Sequence, residues 1–172
     1  MQVQIEQLEN QNVVNFYVEG LVDESALLFD ENSAKLPDFV KNIFEYSGKG
    51  RFLITPNLIA FKYPENADVE TLKMLIMAEV EDFFANPQDL SEFGGEKDVL
   101  SLAQAIADSY IRPTLNRDKG DIEILNFEGD VLSIKFVGHC AGCPFAQNTL
   151  NNVIAKAFMR FIPNIKEIRL VE

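Results

Sequence analysis

Val131-Leu132-Ser133-Ile134-Lys135-Phe136-Val137-Gly138-His139-Cys140-Ala141-Gly142-Cys143-Pro144 contains the change of period on which the second half of the chain turns. Leu132, Ile134 and Phe136 recur at every second position, the pattern of a strand with one buried face. Beyond Pro144 the apolar residues Leu150, Val153, Ile154, Ala157, Phe158 and Phe161 fall at three- and four-residue steps, the stripe of an amphipathic helix. Two cysteines, Cys140 and Cys143, lie at this junction. A helix N-terminus carries unpaired backbone N–H groups and a partial positive charge, which favours thiolate over thiol. Pro144 suits the first helical turn, where a missing N–H loses no partner, and Gly138 and Gly142 let backbone approach a bulky ligand closely.

Working outward, Ile122 to Phe127 is a second β-rich run, joined to the first through Glu128-Gly129-Asp130. Ahead of it Val99, Leu102, Ala103, Ile106 and Tyr110 mark a helix expected to end near Arg112-Pro113. After the second helix come Pro163 and a last strand holding Ile168 and Leu170. The order predicted for this half is helix, strand, strand, helix, strand.

Between about Pro87 and Glu96 the periodicity lapses around Gly94-Gly95, which reads as a linker. The part before it opens with Val3 and Ile5, then Val14, Phe16 and Val18 beyond a polar turn, a hairpin pattern. Leu27-Leu28-Phe29 follows, then Asp38 to Tyr46 with Phe39, Val40, Ile43 and Phe44 at helical spacing and Gly48 and Gly50 as the stop. Phe52 and Ile54, then Ile59 and Phe61, flank a Thr55-Pro56-Asn57 turn as a second hairpin. Val69, Leu72, Ile76, Val80 and Phe83 mark a closing helix, with Met74 and Met77 expected in the same core. The fold class is α+β: one small domain over residues 1–88 and a second, helix-strand-strand-helix-strand, over residues 97–172.

The chain has 172 residues, 27 Asp and Glu against 15 Lys and Arg, a net charge of −12, one His, two Cys and no Trp. With 47% hydrophobic residues it has the composition of a folded chain rather than a disordered one. The acidity is lopsided: residues 1–90 hold 16 acids and 6 bases, residues 91–172 hold 11 and 9. Binding to nucleic acid or to an anionic membrane surface needs clustered Lys and Arg, so both are excluded as expected partners. The N-terminus lacks a basic region followed by an apolar run, and no apolar stretch approaches the ~18 residues of a membrane span, so a cytoplasmic location is expected. No nucleophile–His–carboxylate set surrounds His139, and no Gly-rich phosphate loop followed by Lys occurs, so an enzyme is not expected. Asp118 and Asp121 read as turn and strand-boundary residues.

Cysteines three apart in a reducing compartment point to metal binding or thiol redox chemistry. A thioredoxin-like thiol–disulfide exchanger needs a substantial downstream sheet, whereas only 29 residues follow Cys143. Tetrahedral zinc wants four ligands, and the adjacent His139 is an awkward third. An iron–sulfur cluster also prefers four thiolates. Two copies of the chain about a two-fold axis at the loop would supply four thiolates to one shared [4Fe–4S] cluster. A site with two ligands per chain, close to solvent, suits a cluster that is given away.

From about Val99 to Glu172 the chain resembles the NifU-like C-terminal domain of the Nfu iron–sulfur carriers. The likeness lies in Arg112-Pro113-x-Leu115 leading to Asp118-Lys119-Gly120-Asp121, in Gly138-His139-Cys140-Ala141-Gly142-Cys143-Pro144, in Thr149-Leu150, and in Ile162-Pro163-Asn164-Ile165. Residues 1 to about 88 are similar, through hairpin, short helix, hairpin and helix, to the Nfu N-terminal domain. The resemblance implies a homodimeric scaffold or carrier that receives one [4Fe–4S] cluster per dimer from an upstream assembly scaffold and passes it to apo iron–sulfur proteins. It implies Cys140 and Cys143 as the ligands. Phe145-Ala146-Gln147 stands where the family commonly has small hydroxyl residues, and His139 where a small residue is frequent; these departures bear on cluster exposure and lifetime rather than on the ligands.

Overall fold

A computed structural model of the protein describes residues 2–23, 26–139, 141 and 146–172. Helices and strands are both present, in two separate sheets, so the fold is α+β. The chain divides into two compact units, Met1–Lys97 and Asp98–Glu172.

In the first unit, five antiparallel strands lie in the order β1-β2-β5-β4-β3: β1 Gln4–Leu8, β2 Val13–Tyr17, β3 Leu27–Asp30, β4 Arg51–Thr55 and β5 Leu58–Lys62. Register places Phe16, Ile59, Ile54 and Leu27 in one row and Val14, Phe61, Phe52 and Phe29 in the next, all on one face. That face packs with the buried stripes of α1 (Asp38–Ser47) and α2 (Val69–Ala85) in one core. Phe39 meets Phe52 and Phe83 edge-on at 6.1 and 5.7 Å, a geometry that adds about 0.5–1.5 kcal/mol per pair beyond simple burial. Gly48 ends α1 at φ 77°, its N–H bonded to the Phe44 carbonyl. Asp68 caps α2 by accepting from the Thr71 N–H and hydroxyl, and these bonds hold its carboxyl below the usual carboxylate range.

Leu27-Leu28-Phe29, to which the sequence assigned no element, forms β3, a strand that exists through its pairing with β4. Two expectations for this half are corrected. Met74 is 73% exposed, because it lies two residues, about half a turn, off the stripe of Leu72 and Ile76. The stretch read as a linker is packed: Leu90, at the start of a 3₁₀ turn Leu90–Phe93, is buried in the first core, and the Glu96 N–H donates to the Leu28 carbonyl at 2.7 Å. Gly95, at φ 80°, passes so close to β3 that a Cβ there would sit 2.8 Å from the Leu28 oxygen.

The second unit holds a three-stranded sheet in the order β6-β7-β8, with β6 Gly120–Glu128, β7 Val131–Gly138 and β8 Glu167–Leu170. β6 and β7 form an antiparallel hairpin, whereas β8 runs parallel to β7. The first helix is α3 (Val99–Ile106), a π-helical stretch Ala107–Ile111 and α4 (Arg112–Arg117) end to end, capped by Asp98. It therefore runs past Pro113, where the sequence had predicted its end. In the π stretch the Arg112 N–H reaches back five residues to the Ala107 carbonyl. The widened turn shifts the hydrogen-bond register next to the proline and admits a residue with no N–H to donate. The second helix likewise joins α5 (Ala146–Thr149), a π stretch Leu150–Ile154 and α6 (Ala155–Phe161). Leu150, Ile154, Phe158 and Phe161 are buried, and the Phe161 ring lies 5.2 Å from that of Tyr110. Among the described residues no helix is long and apolar enough to cross a membrane.

Candidate functional site

The chain leaves β7 at Gly138, re-enters helix at Ala146, and returns to lay β8 beside β7. Such a parallel strand–helix–strand unit puts the connecting loop at the carboxyl end of the first strand and at the N-terminal end of the helix. Cys140 and Cys143 fall between Gly138 and Ala146 in the sequence; with Gly142, Pro144 and Phe145 they lie outside the described residues.

Gly120 pairs with Gly138 and Asp121 with Val137 at the open end of the β6–β7 hairpin, opposite its turn. Gly138 has φ 64°, and a Cβ on it would lie 2.6 Å from the Lys119 carbonyl oxygen, so a side chain is excluded by conformation and by space. Lys119, across from it, is itself left-handed at φ 60°. Its carbonyl accepts the His139 N–H at 3.2 Å, and the Ala141 N–H donates to the Gly138 carbonyl at 3.1 Å. The Asn116 side-chain amide donates to the Gly120 carbonyl at 2.7 Å. His139 is exposed and enters this turn through its backbone. Among the described residues no group of three or more His, Cys, Asp or Glu side chains could hold a metal ion.

A network that the sequence reading did not single out lies behind this turn. The Arg112 guanidinium donates from Nε to Asp108 at 2.9 Å and from one terminal nitrogen to Asp121 and to the Ile122 carbonyl, each at 2.9 Å. Its other terminal nitrogen donates to Gln104 at 3.0 Å. The side chains of Arg112 and Asp108 are 13% and 9% exposed and that of Asp121 is 40% exposed. The one hint in the sequence is the i,i+4 spacing of Asp108 and Arg112; the partners on β6 are visible only in the fold. Asp118 sits at the end of α4 and Asp121 at the start of β6.

Comparison with known proteins gives a family for this unit. Residues 104–169 match the NifU-like domain. The chain is 30% identical over 141 residues to the human "NFU1 iron-sulfur cluster scaffold homolog, mitochondrial", covering 76% of this chain and 56% of that protein. It is 24% identical over 149 residues to the protein of the same description from Drosophila persimilis, covering 81% of this chain and 53% of that one. The chain thus spans about half the length of the curated relatives it matches. Among solved structures, that of protein SAV1430 from Staphylococcus aureus superposes with a TM-score of 0.39 at 15% identity, over 46% of this chain and 99% of that one.

Proposed function

We propose that this chain, whose residues 104–169 are a NifU-like domain, is an iron–sulfur cluster scaffold or carrier. It takes up a [4Fe–4S] cluster as cargo between two copies of itself, each contributing Cys140 and Cys143, and releases it to apo-proteins. The observation that carries this reading is the setting of the Cys-x-x-Cys: a matched NifU-like domain in which the only two cysteines of the chain fall, in sequence, between a strand and a helix. Two thiolates are half of what a cubane cluster takes, and a two-fold axis at the loop supplies the other half.

Release follows as ligand exchange. Each incoming recipient thiolate forms an Fe–S bond as the bond from Cys140 or Cys143 breaks; the recipient thiol gives up a proton to solvent and the departing sulfur takes one up. The oxidation states of iron and sulfide do not change. Four thiolates from one recipient hold the cluster more tightly than two from each of two separable subunits, so the exchange runs toward the recipient. The excess of acids in residues 1–90 fits a first unit that steers basic faces of recipients, an effect on association rate that salt screens.

Anaerobic reconstitution with iron and sulfide tests the reading. A brown dimer with about two irons and two sulfides per chain is expected, the count for one [4Fe–4S] per pair. A colourless protein, or one with four irons per chain, overturns the shared cluster. Zinc in protein purified without air would make the loop a structural zinc bridge instead. Sustained disulfide reduction without iron would make it a thioredoxin-like oxidoreductase.

A further inference from the structure

We propose that Arg112 and Asp121 are positioning residues that hold Gly138 and His139, the two residues preceding Cys140 in the chain; what they would position rests on the cluster-carrier reading above. Arg112 is fixed to its own helix by Asp108 and Gln104, one and two turns earlier, and its remaining terminal nitrogen reaches out of the helix to Asp121 and the Ile122 carbonyl. The Asp121 carboxylate also accepts the Ile122 N–H at 2.8 Å, so the first residues of β6 are held by a planar fork in one register. From there the chain of contacts is short. Asp121 pairs with Val137, Gly120 with Gly138, and the His139 N–H bonds to the Lys119 carbonyl.

The placement separates this role from a general contribution to stability. The hairpin is closed by its turn at residues 129–130, so the end at Gly120 and Gly138 is the one that frays first. The charged network sits at that open end, while Ile122, Ile134 and Phe136 fill the buried interior. The Arg112–Asp121 pair, whose carboxylate is 40% exposed, contributes little net stability, because solvent screens the attraction and desolvation of the guanidinium offsets it. What a forked guanidinium with four of its five N–H groups partnered contributes is direction: it holds one arrangement of the strand end against others.

The test compares Asp121→Ala with Asp121→Asn in the full chain; the asparagine keeps an oxygen that accepts from Arg112 and from the Ile122 N–H. Amide hydrogen exchange of the apo protein is the first readout. In Asp121→Ala, exchange at Val137 and His139, whose pairing with residue 121 and bond to the Lys119 carbonyl close this end of the hairpin, should quicken about tenfold, the scale of one lost hydrogen bond to a charged group, with Leu132 and Ile134 unchanged. Asp121→Asn should stay close to the parent. The second readout is decay of cluster absorbance after reconstitution, expected to be faster in Asp121→Ala and restored in Asp121→Asn. Unchanged exchange at the hairpin end overturns the proposal. So does quickening that extends through Leu132 and Ile134, which would make the network a support of the whole sheet, and so does equal decay of a loaded cluster in both variants. If the parent itself takes up no iron and sulfide, the carrier reading fails, and hydrogen exchange, which uses no cluster, still decides whether the clamp exists.

Discussion

Leu90→Ala deletes three carbons from a side chain that is 1% exposed and packed in the first core with residues of α1, α2 and the sheet. At about 0.8 kcal/mol per buried methylene the lost transfer energy is about 2.4 kcal/mol. The remaining cavity adds to it, for a total of about 3 kcal/mol, inside the range found for Leu→Ala in well-packed cores. For a unit of this size each kcal/mol moves the melting temperature by about 4–8 °C, so a fall on the order of 12–24 °C is expected. Urea unfolding followed by tyrosine fluorescence suits the measurement: the chain has no Trp, and three of its four tyrosines, Tyr17, Tyr46 and Tyr63, are in the first unit. The midpoint should fall with the denaturant slope unchanged, and the neighbouring exposed Gln88→Ala should leave it in place. A Leu90→Ala midpoint within about 0.5 kcal/mol of the parent would refute the packing and return residues 87–96 to the status of a solvated linker.

Gly138→Ala forces a Cβ into a left-handed backbone and toward the Lys119 carbonyl; a loss of about 1–2 kcal/mol from conformation alone is expected, read as faster amide exchange at Val137 and His139. Cys140→Ser or Cys143→Ser should abolish iron uptake and cluster-dependent dimerisation while the far-ultraviolet circular dichroism of the apo chain stays unchanged. Asp68 has a carboxyl held below its ordinary value of 3.8 by bonds from Thr71, so its contribution is complete above that value and is lost as pH falls below it. Asp68→Asn keeps the cap without the titration; acid denaturation of the first unit should then be shallower below pH 3.8, and an unchanged acid limb would exclude this contribution. Neutralising Glu70, Glu81 and Asp82 together on α2 should slow cluster transfer to a basic recipient at low salt and leave the rate at high salt unchanged; equal slowing at both would count against electrostatic steering.

What the residues by themselves determined is what depends on near neighbours. α1 and α2, and the turns at Thr55-Pro56-Asn57 and Glu128-Gly129-Asp130, follow from period, caps and turn residues within a few positions, and these act before any tertiary contact exists. The placing of two cysteines between a strand pattern and a helix pattern was equally local, and it carried the functional reading. Only the tertiary structure decided the rest, because each remaining feature depends on residues distant in sequence. β3 is a strand because β4 lies beside it; Leu90 is core because it joins the cluster built by the sheet and the helices of the first unit; β8 runs parallel to β7 because a helix intervenes. Pro113 sits inside a helix because a π turn precedes it, and Arg112 reaches β6 because that helix continues far enough to bring the two together. Periodicity reports which face of an element is apolar; which partner covers that face is settled by packing, where long-range contacts outweigh local preference.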